Sequence, residues 1–225
     1  MNIKVDYLDH QIVIDKEHIN IIEVSNKDIF IRLINDFKTL NSLGIKENMY
    51  IYNDKGLELN LSNKISIIID YFNLNFNDKK YITKINKIVE KSVSDEECLK
   101  LSNLYKKMCK CFNRAFNEID IELNINNDYQ LEDIIKMFEI QIKEKETFLD
   151  KLFLLIDING FLKVNSLLLF VNIKDYLSDN ELIELHKYIM YKKETVLFIE
   201  NKLSHNMIKY EKKLIIDEDL VEYVV

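Results

Sequence analysis

The stretch HINIIEVSNKDIFIRLINDF, His18 to Phe37, passes from a β-branched run straight into an amphipathic helical pattern. Strand, turn and helix in that order are the layout in which α/β proteins hold phosphates, with glycines in the turn so that successive backbone N–H groups can wrap the anion. This turn reads EVSNKD and contains no glycine. Ser25, Asn26 and Lys27 offer polar groups, but Asp28 brings negative charge to the helix start. A magnesium site fares no better, because LLLFVN ends in Asn172 where an aspartate would be needed. The expectation is a strand-turn-helix that keeps the shape of a nucleotide site without its chemistry.

The same texture continues on either side. NIKVDYL, QIVID, NMYIYN and ISIIID read as strands, and one helix is expected from about Asn26 to Leu40. From Asp78 to about Ile119 the pattern becomes two helices, separated near SVSDEE, where Ser94 can cap the second with Glu97 three residues on. After the alternating segment IDIELNIN, helices are expected at Leu131 to Phe138 and from Glu144 to near Leu162. SLLLFVN, TVLFIE and KLIID then read as strands, with a helix from Ser178 to Tyr191 opened by the cap SDNE. Near-continuous apolar strands alternating with helices predict a parallel or mixed sheet covered on both faces. The reading is an α/β head, residues 1–72 and 145–225, with a helical leg inserted at residues 73–144.

Composition limits the partners. The chain has 225 residues, 48% of them hydrophobic and 31% charged, and it lacks any apolar run of the roughly 18 to 20 residues that span a bilayer. MNIKVDYLDH holds no apolar signal core, so a cytoplasmic protein with no membrane partner is expected. Cys98, Cys109 and Cys111 have no metal-site spacing and are expected as buried, reduced thiols. The net charge of -7 is unevenly spread: ten basic and four acidic residues between Lys79 and Arg114 give that segment +6 and leave -13 for the rest.

That segment is the strongest candidate site. At about 100° per residue, Lys80, Lys84, Lys87 and Lys91 fall within an arc of roughly 60° on the first helix. On the second, Lys100, Lys106, Lys107, Lys110 and Arg114 share roughly 120°, opposite Leu101, Leu104, Met108, Phe112, Ala115 and Phe116. The bland reading is a solvated helix face in a lysine-rich chain. The functional one is a surface that tracks phosphates without reading bases. A second candidate is DIELNINNDYQLEDI, whose Glu122, Asp128, Glu132 and Asp133 offer the oxygen ligands calcium takes, against the plainer reading of an edge strand with one solvated face. The scattered His10, His18, His186 and His205 form no catalytic motif, and the carboxylates Asp217, Glu218 and Asp219 read as a solvated turn.

SLLLFVN before YLSDNELIELHKYI, then TVLFIE and IIDEDL, resemble the Csn-two family of type II-A CRISPR-associated proteins. YLDHQIVIDKEHINIIEVSNKDIFIRLINDF and YNDKGLELNLSNKISIIIDYFNLNFN resemble that family's opening. The resemblance implies a head like a P-loop ATPase without a working nucleotide site, a helical leg, a ring-shaped homotetramer and calcium-supported structure. It also implies binding of double-stranded DNA ends without sequence preference, in spacer acquisition beside the integrase and Cas-nine. By region and helical face it assigns DNA contact to Lys84, Lys87, Lys91, Lys106, Lys107, Lys110 and Arg114. Asn124, Asn126 and Asn127 dilute the acidic segment, so calcium is expected to be held weakly or not at all. Two other classes stand beside this reading: a diverged P-loop nucleotidase or kinase, which would bind ATP with magnesium, and a protein-binding scaffold, which would not bind DNA at low salt.

Overall fold

The structure, a computed structural model, describes residues 1–44, 47–121, 123, 130–204 and 208–225, apart from the side chain of Arg114. The chain divides into two compact units, one formed by Met1–Leu74 with Glu144–Val225 and the other by Asn75–Lys143.

The first unit is built on a six-stranded sheet. Its strands are β3 (Ile19–Val24), β5 (Ile65–Ile68), β6 (Leu167–Val171), β7 (Val196–Glu200), β8 (Glu211–Ile216) and β9 (Glu222–Val224), in the order β5-β6-β7-β3-β8-β9. The first five are parallel and β9 closes one edge antiparallel. Every residue of β3, β6 and β7 is buried, as runs such as INIIEV and LLLFV require when both faces are covered. A smaller antiparallel sheet, β2-β1-β4, comprises β1 (Asn2–Val5), β2 (Ile12–Val13) and β4 (Met49–Tyr52).

Helix α1 (Lys27–Leu43) covers one face of the large sheet. Its Leu33, Ile34, Phe37 and Leu40 share a core with Ile22 and Val24 of β3 and with Ile3, Val5, Met49 and Ile51 of the small sheet. The helix ends at Gly44, whose φ of 65° is the left-handed conformation that glycine adopts without a Cβ penalty. On the opposite face lie α5 (Phe148–Leu162) and α6 (Asp179–Lys192), and the His186 ring of α6 sits 5.7 Å from that of Phe198 in β7. Ser178 and Glu181 form the capping box expected from SDNE.

The second unit holds α2 (Lys79–Ser92), α3 (Asp95–Asn117) and α4 (Leu131–Met137). Its ends are tied by Asn77, whose Oδ1 accepts from Ile142 N at 2.7 Å and whose Nδ2 donates to Ile142 O at 3.3 Å. Among its described residues the buried apolar side chains are Phe76, Tyr81 and Ile135. That is a small core for three helices, and α3 has no fully buried side chain among those described.

Several elements depart from the sequence reading. The helix expected from Glu144 begins at Phe148, because Thr147 is its N-cap and accepts from Asp150 N. The first strand stops at Val5 rather than Leu8, and β9 was not foreseen, since three half-exposed residues give no periodic signal. The described residues of the alternating segment IDIELNIN are not a strand: Ile119, Ile121 and Leu123 are exposed and pair with no strand among the described residues. Cys98 and Cys109 are half-buried and Cys111 is exposed, so the thiols are not the buried ones expected. Helical phase directs Cys109 and Cys111 towards the apolar side of α3, whose Leu104, Met108 and Phe112 are themselves about half exposed.

Candidate nucleic-acid interface

The cationic stripes sit on two well-started helices. Asp78 caps α2 by accepting from Lys80 N, and Ser94 and Glu97 form a capping box at the start of α3. Asp95, Glu96 and Glu97 occupy the first turn of α3, where the helix dipole favours negative charge. Glu96 also binds Lys100 across one turn at 2.6 Å, so that lysine is already partnered.

Beyond that acidic turn the cations lie open. Lys87 and Lys91 of α2 and Lys106, Lys107 and Lys110 of α3 are exposed, and none of the five makes an ion pair among the described residues. Lys84 is half-buried, and Arg114 lies on α3 with its side chain outside the described residues. An unpaired surface ammonium is fully hydrated and carries mobile counterions, so it can exchange them for a phosphate at little cost.

The apolar side of α3 is also open. Leu104 is 55% exposed, Met108 46% and Phe112 55%, in a unit with little core of its own. Between α2 and α3 a groove of about 480 Å³, lined by Ile88, Val89, Ser92, Val93, Glu97, Lys100 and Leu101, adjoins the start of this stripe.

The expected calcium ligands are not assembled. Glu122 and Asp128 lie outside the described residues. Glu132 and Asp133, in the first turn of α4, are exposed and turn to Lys136, at 3.1 and 3.5 Å. No cluster of three metal-binding side chains occurs among the described residues.

At the strand-turn-helix, the positions a phosphate would use are filled by the chain. Asn26 Oδ1 accepts from Asp28 N and Ile29 N, both at 3.1 Å, and its Nδ2 donates to Glu218 O at 3.3 Å. Ser25 N donates to Ile216 O. Two of the free N–H groups of this helix start, those of Asp28 and Ile29, are thus consumed internally. Asn172 is left-handed, with φ 56°, and its Oδ1 accepts from Asn201 N at 2.9 Å.

Sequence reasoning missed the buried charges behind this turn. Glu23, Glu200, Glu211, Lys213 and His186 are all buried. The signal was present in INIIEV and VLFIE, where a mostly apolar strand carries a glutamate at or next to its end, but a strand tip read in isolation is as often solvated.

The family model described as CRISPR-associated protein (Cas_Csn2) matches residues 43–220, most of the chain. The chain belongs to the Csn2 family. The match takes in α2, α3 and the strands from β4 to β8, and so includes both cationic helices and four of the six strands of the large sheet. The CRISPR-associated protein Csn2 of Streptococcus agalactiae is 23% identical over 223 residues, covering 96% of each chain. Among solved structures, the crystal structure of Stu0660 of Streptococcus thermophilus resembles this chain with a TM-score of 0.55 at 14% identity, over 96% of this chain and 74% of that one. At that identity the likeness concerns the fold. No helix among the described residues is long and apolar enough to cross a membrane.

Proposed function

We propose that this Csn2-family chain is a non-enzymatic protein of type II-A CRISPR adaptation. In this reading it binds double-stranded DNA and its ends without sequence preference, as a cytoplasmic homotetrameric ring that works beside the integrase and Cas-nine. The observation that carries the reading is the row of exposed, unpaired lysines on α2 and α3, in a segment of +6 within a chain of -7. Such lysines bind phosphates and offer little to base edges, which favours affinity without sequence preference. Assembly into a ring is supported by the half-exposed Leu104, Met108 and Phe112 on the neighbouring face of α3, since a second copy would cover them. The acidic remainder of the chain would then point away from the DNA.

The head fits a P-loop-ATPase-like fold that has lost its nucleotide chemistry. Asn26 caps α1 with the contacts a phosphate would otherwise make, and no glycine stands in the turn. This weighs against the nucleotidase reading. Calcium, in this account, contributes modestly at most, with Glu122, Asp128, Glu132 and Asp133 as its oxygen donors.

The test is a salt titration of duplex binding with Lys106, Lys107 and Lys110 replaced by Ala. Each phosphate contact contributes about -0.9 to the slope of log affinity against log salt. The triple variant is expected to show a shallower slope and weaker binding to all sequences alike, with assembly intact because these side chains lie away from the apolar stripe. Unchanged affinity and slope in a correctly assembled variant would move the DNA path off α3.

A further inference from the structure

Strand β9 ends the large sheet, and its outer edge pairs with no strand among the described residues. The ladder to β8 fixes which backbone groups lie on that edge. Lys213 and Val225 exchange both of their N–H···O bonds, at 2.8 and 2.9 Å, so they form a hydrogen-bonded pair. Pair types alternate along an antiparallel ladder, which makes Ile215–Tyr223 hydrogen-bonded and leaves Leu214–Val224 and Ile216–Glu222 as the other type. The N–H and C=O groups of Glu222 and Val224 therefore point away from β8, towards solvent.

Natural edges of this kind are commonly blunted by exposed charge, lysine above all. This one is not. The segment reads LVEYVV from Leu220, and Leu220, Val221, Tyr223, Val224 and Val225 are each between 47% and 56% exposed. Its charged side chain, Glu222, is turned inward: it is 5% exposed, and its carboxylate accepts from Asp9 N at 2.8 Å and His10 N at 2.7 Å and lies 3.0 Å from His10 Nδ1. The approach to the strand is fixed as well, because Asp217 Oδ1 accepts from Asp219 N and Val221 N, both at 2.9 Å. The result is a firmly held, neutral, apolar edge with its backbone groups free.

That edge complements itself. Two copies related by a two-fold axis through Tyr223 set Glu222 opposite the partner's Val224, and Val224 opposite the partner's Glu222. These are the residues whose N–H and C=O groups face outward, so each of the two pairs exchanges two hydrogen bonds. A register one residue off sets an outward-facing residue against an inward-facing one and loses them. Glu222 and Val224 share a face with Ile216 and Leu214, which belong to the core beneath α1, while Tyr223 shares the other face with Ile215. On that other face Tyr223 meets the partner's Tyr223, an aromatic pair directly across the two strands. No ionised side chains of like sign oppose each other there.

We propose that the outer edge of β9 docks a second copy of this chain, antiparallel through Glu222, Tyr223 and Val224, so that two six-stranded sheets run on as one. The contact is distinct from the apolar face of α3 and does not rest on the DNA reading.

Disulfide trapping tests it. In this register the two Tyr223 residues form a non-hydrogen-bonded pair with Cα atoms about 4.5 Å apart, within disulfide reach. The two Val225 residues lie four positions out of step, about 14 Å apart and beyond that reach. The full chain is prepared with Cys98, Cys109 and Cys111 replaced by Ser, carrying either Tyr223→Cys or Val225→Cys. Under mild oxidation Tyr223→Cys is expected to give a reducible species of twice the subunit mass at least about tenfold faster than Val225→Cys. Adding Val224→Pro removes an outward N–H from each copy and leaves the bonds to β8 in place, and it is expected to slow trapping at position 223 about tenfold. Equal rates at the two cysteine positions would overturn self-pairing and leave the edge to an extended segment of another protein. Fast trapping at 223 that a folded Val224→Pro variant leaves unchanged would overturn the strand pairing. The contrast between Tyr223→Cys and Val225→Cys stays decisive if Val224→Pro does not fold.

Discussion

Replacing Met108 and Phe112 by Glu places two carboxylates in the middle of the apolar face of α3. Full burial of a Met or Phe side chain stabilises by about 1.5 to 3 kcal/mol, and Met108 at 46% and Phe112 at 55% exposure have already gained about half of that. Each therefore has about 1 kcal/mol left to gain when a second copy covers it, or about 4 kcal/mol for two side chains on each of two facing subunits. Losing this is about a thousandfold in dissociation constant, before the further cost of burying unpaired carboxylates. The subunit itself should tolerate the change, because both positions face water in the isolated chain. Light scattering at micromolar concentration is expected to show the wild-type tetramer and a dissociated variant, with helical circular dichroism retained in both. A variant of unchanged mass would refute the assignment of this face to assembly, and a monomeric wild type would refute assembly itself.

Three further outcomes follow from the same structure. Burial pushes His186 down to about 4, so it is neutral in the fold, and the unfolded chain takes up its proton first as pH falls. Its contribution is present above pH 6.5 and is lost towards pH 4, about 3 kcal/mol in all, so His186→Gln should flatten the acid side of the urea-midpoint profile relative to wild type; parallel profiles would contradict this. ATP with magnesium should leave the melting temperature unchanged, because Asn26 already occupies the start of α1; a stabilisation abolished by Lys27→Ala would restore the nucleotidase reading. Chelation of calcium should lower the melting temperature by no more than a few degrees, since neutral Asn oxygens dilute the ligand set, and a large shift would show a stronger site than Glu122, Asp128, Glu132 and Asp133 imply.

Which parts of this molecule the sequence reveals depends on how local the cause is. INIIEV is a strand from Ile19 to Val24 because its four β-branched residues, Ile19, Ile21, Ile22 and Val24, need burial on both faces, which the sheet centre provides. Ser94 and Ser178 start helices because the cap and its glutamate lie within one turn, and both capping boxes are present. The buried ion pairs were not legible, because Glu23, Lys174, Glu211 and Lys213 become neighbours only through pairing between strands far apart in the chain. The cysteines were misread for a related reason. Helical phase shows which way Cys111 points, but whether anything covers that face depends on tertiary and quaternary contacts. The lysine stripes were legible as stripes, whereas the partnering of Lys100 by Glu96, and the absence of ion pairs on Lys106, Lys107 and Lys110 among the described residues, needed coordinates.

The central claim, a ring that encloses duplex DNA, is tested most directly by topology. One duplex is prepared as a linear molecule and as a relaxed, covalently closed circle of the same sequence, and both are titrated at one fixed salt concentration. A ring threaded from an end binds the linear form and binds the closed circle poorly, and cutting the circle once restores full binding. Equal affinity for the two forms would mean that the lysines of α2 and α3 bind DNA as an open surface, and the enclosing ring would have to be abandoned.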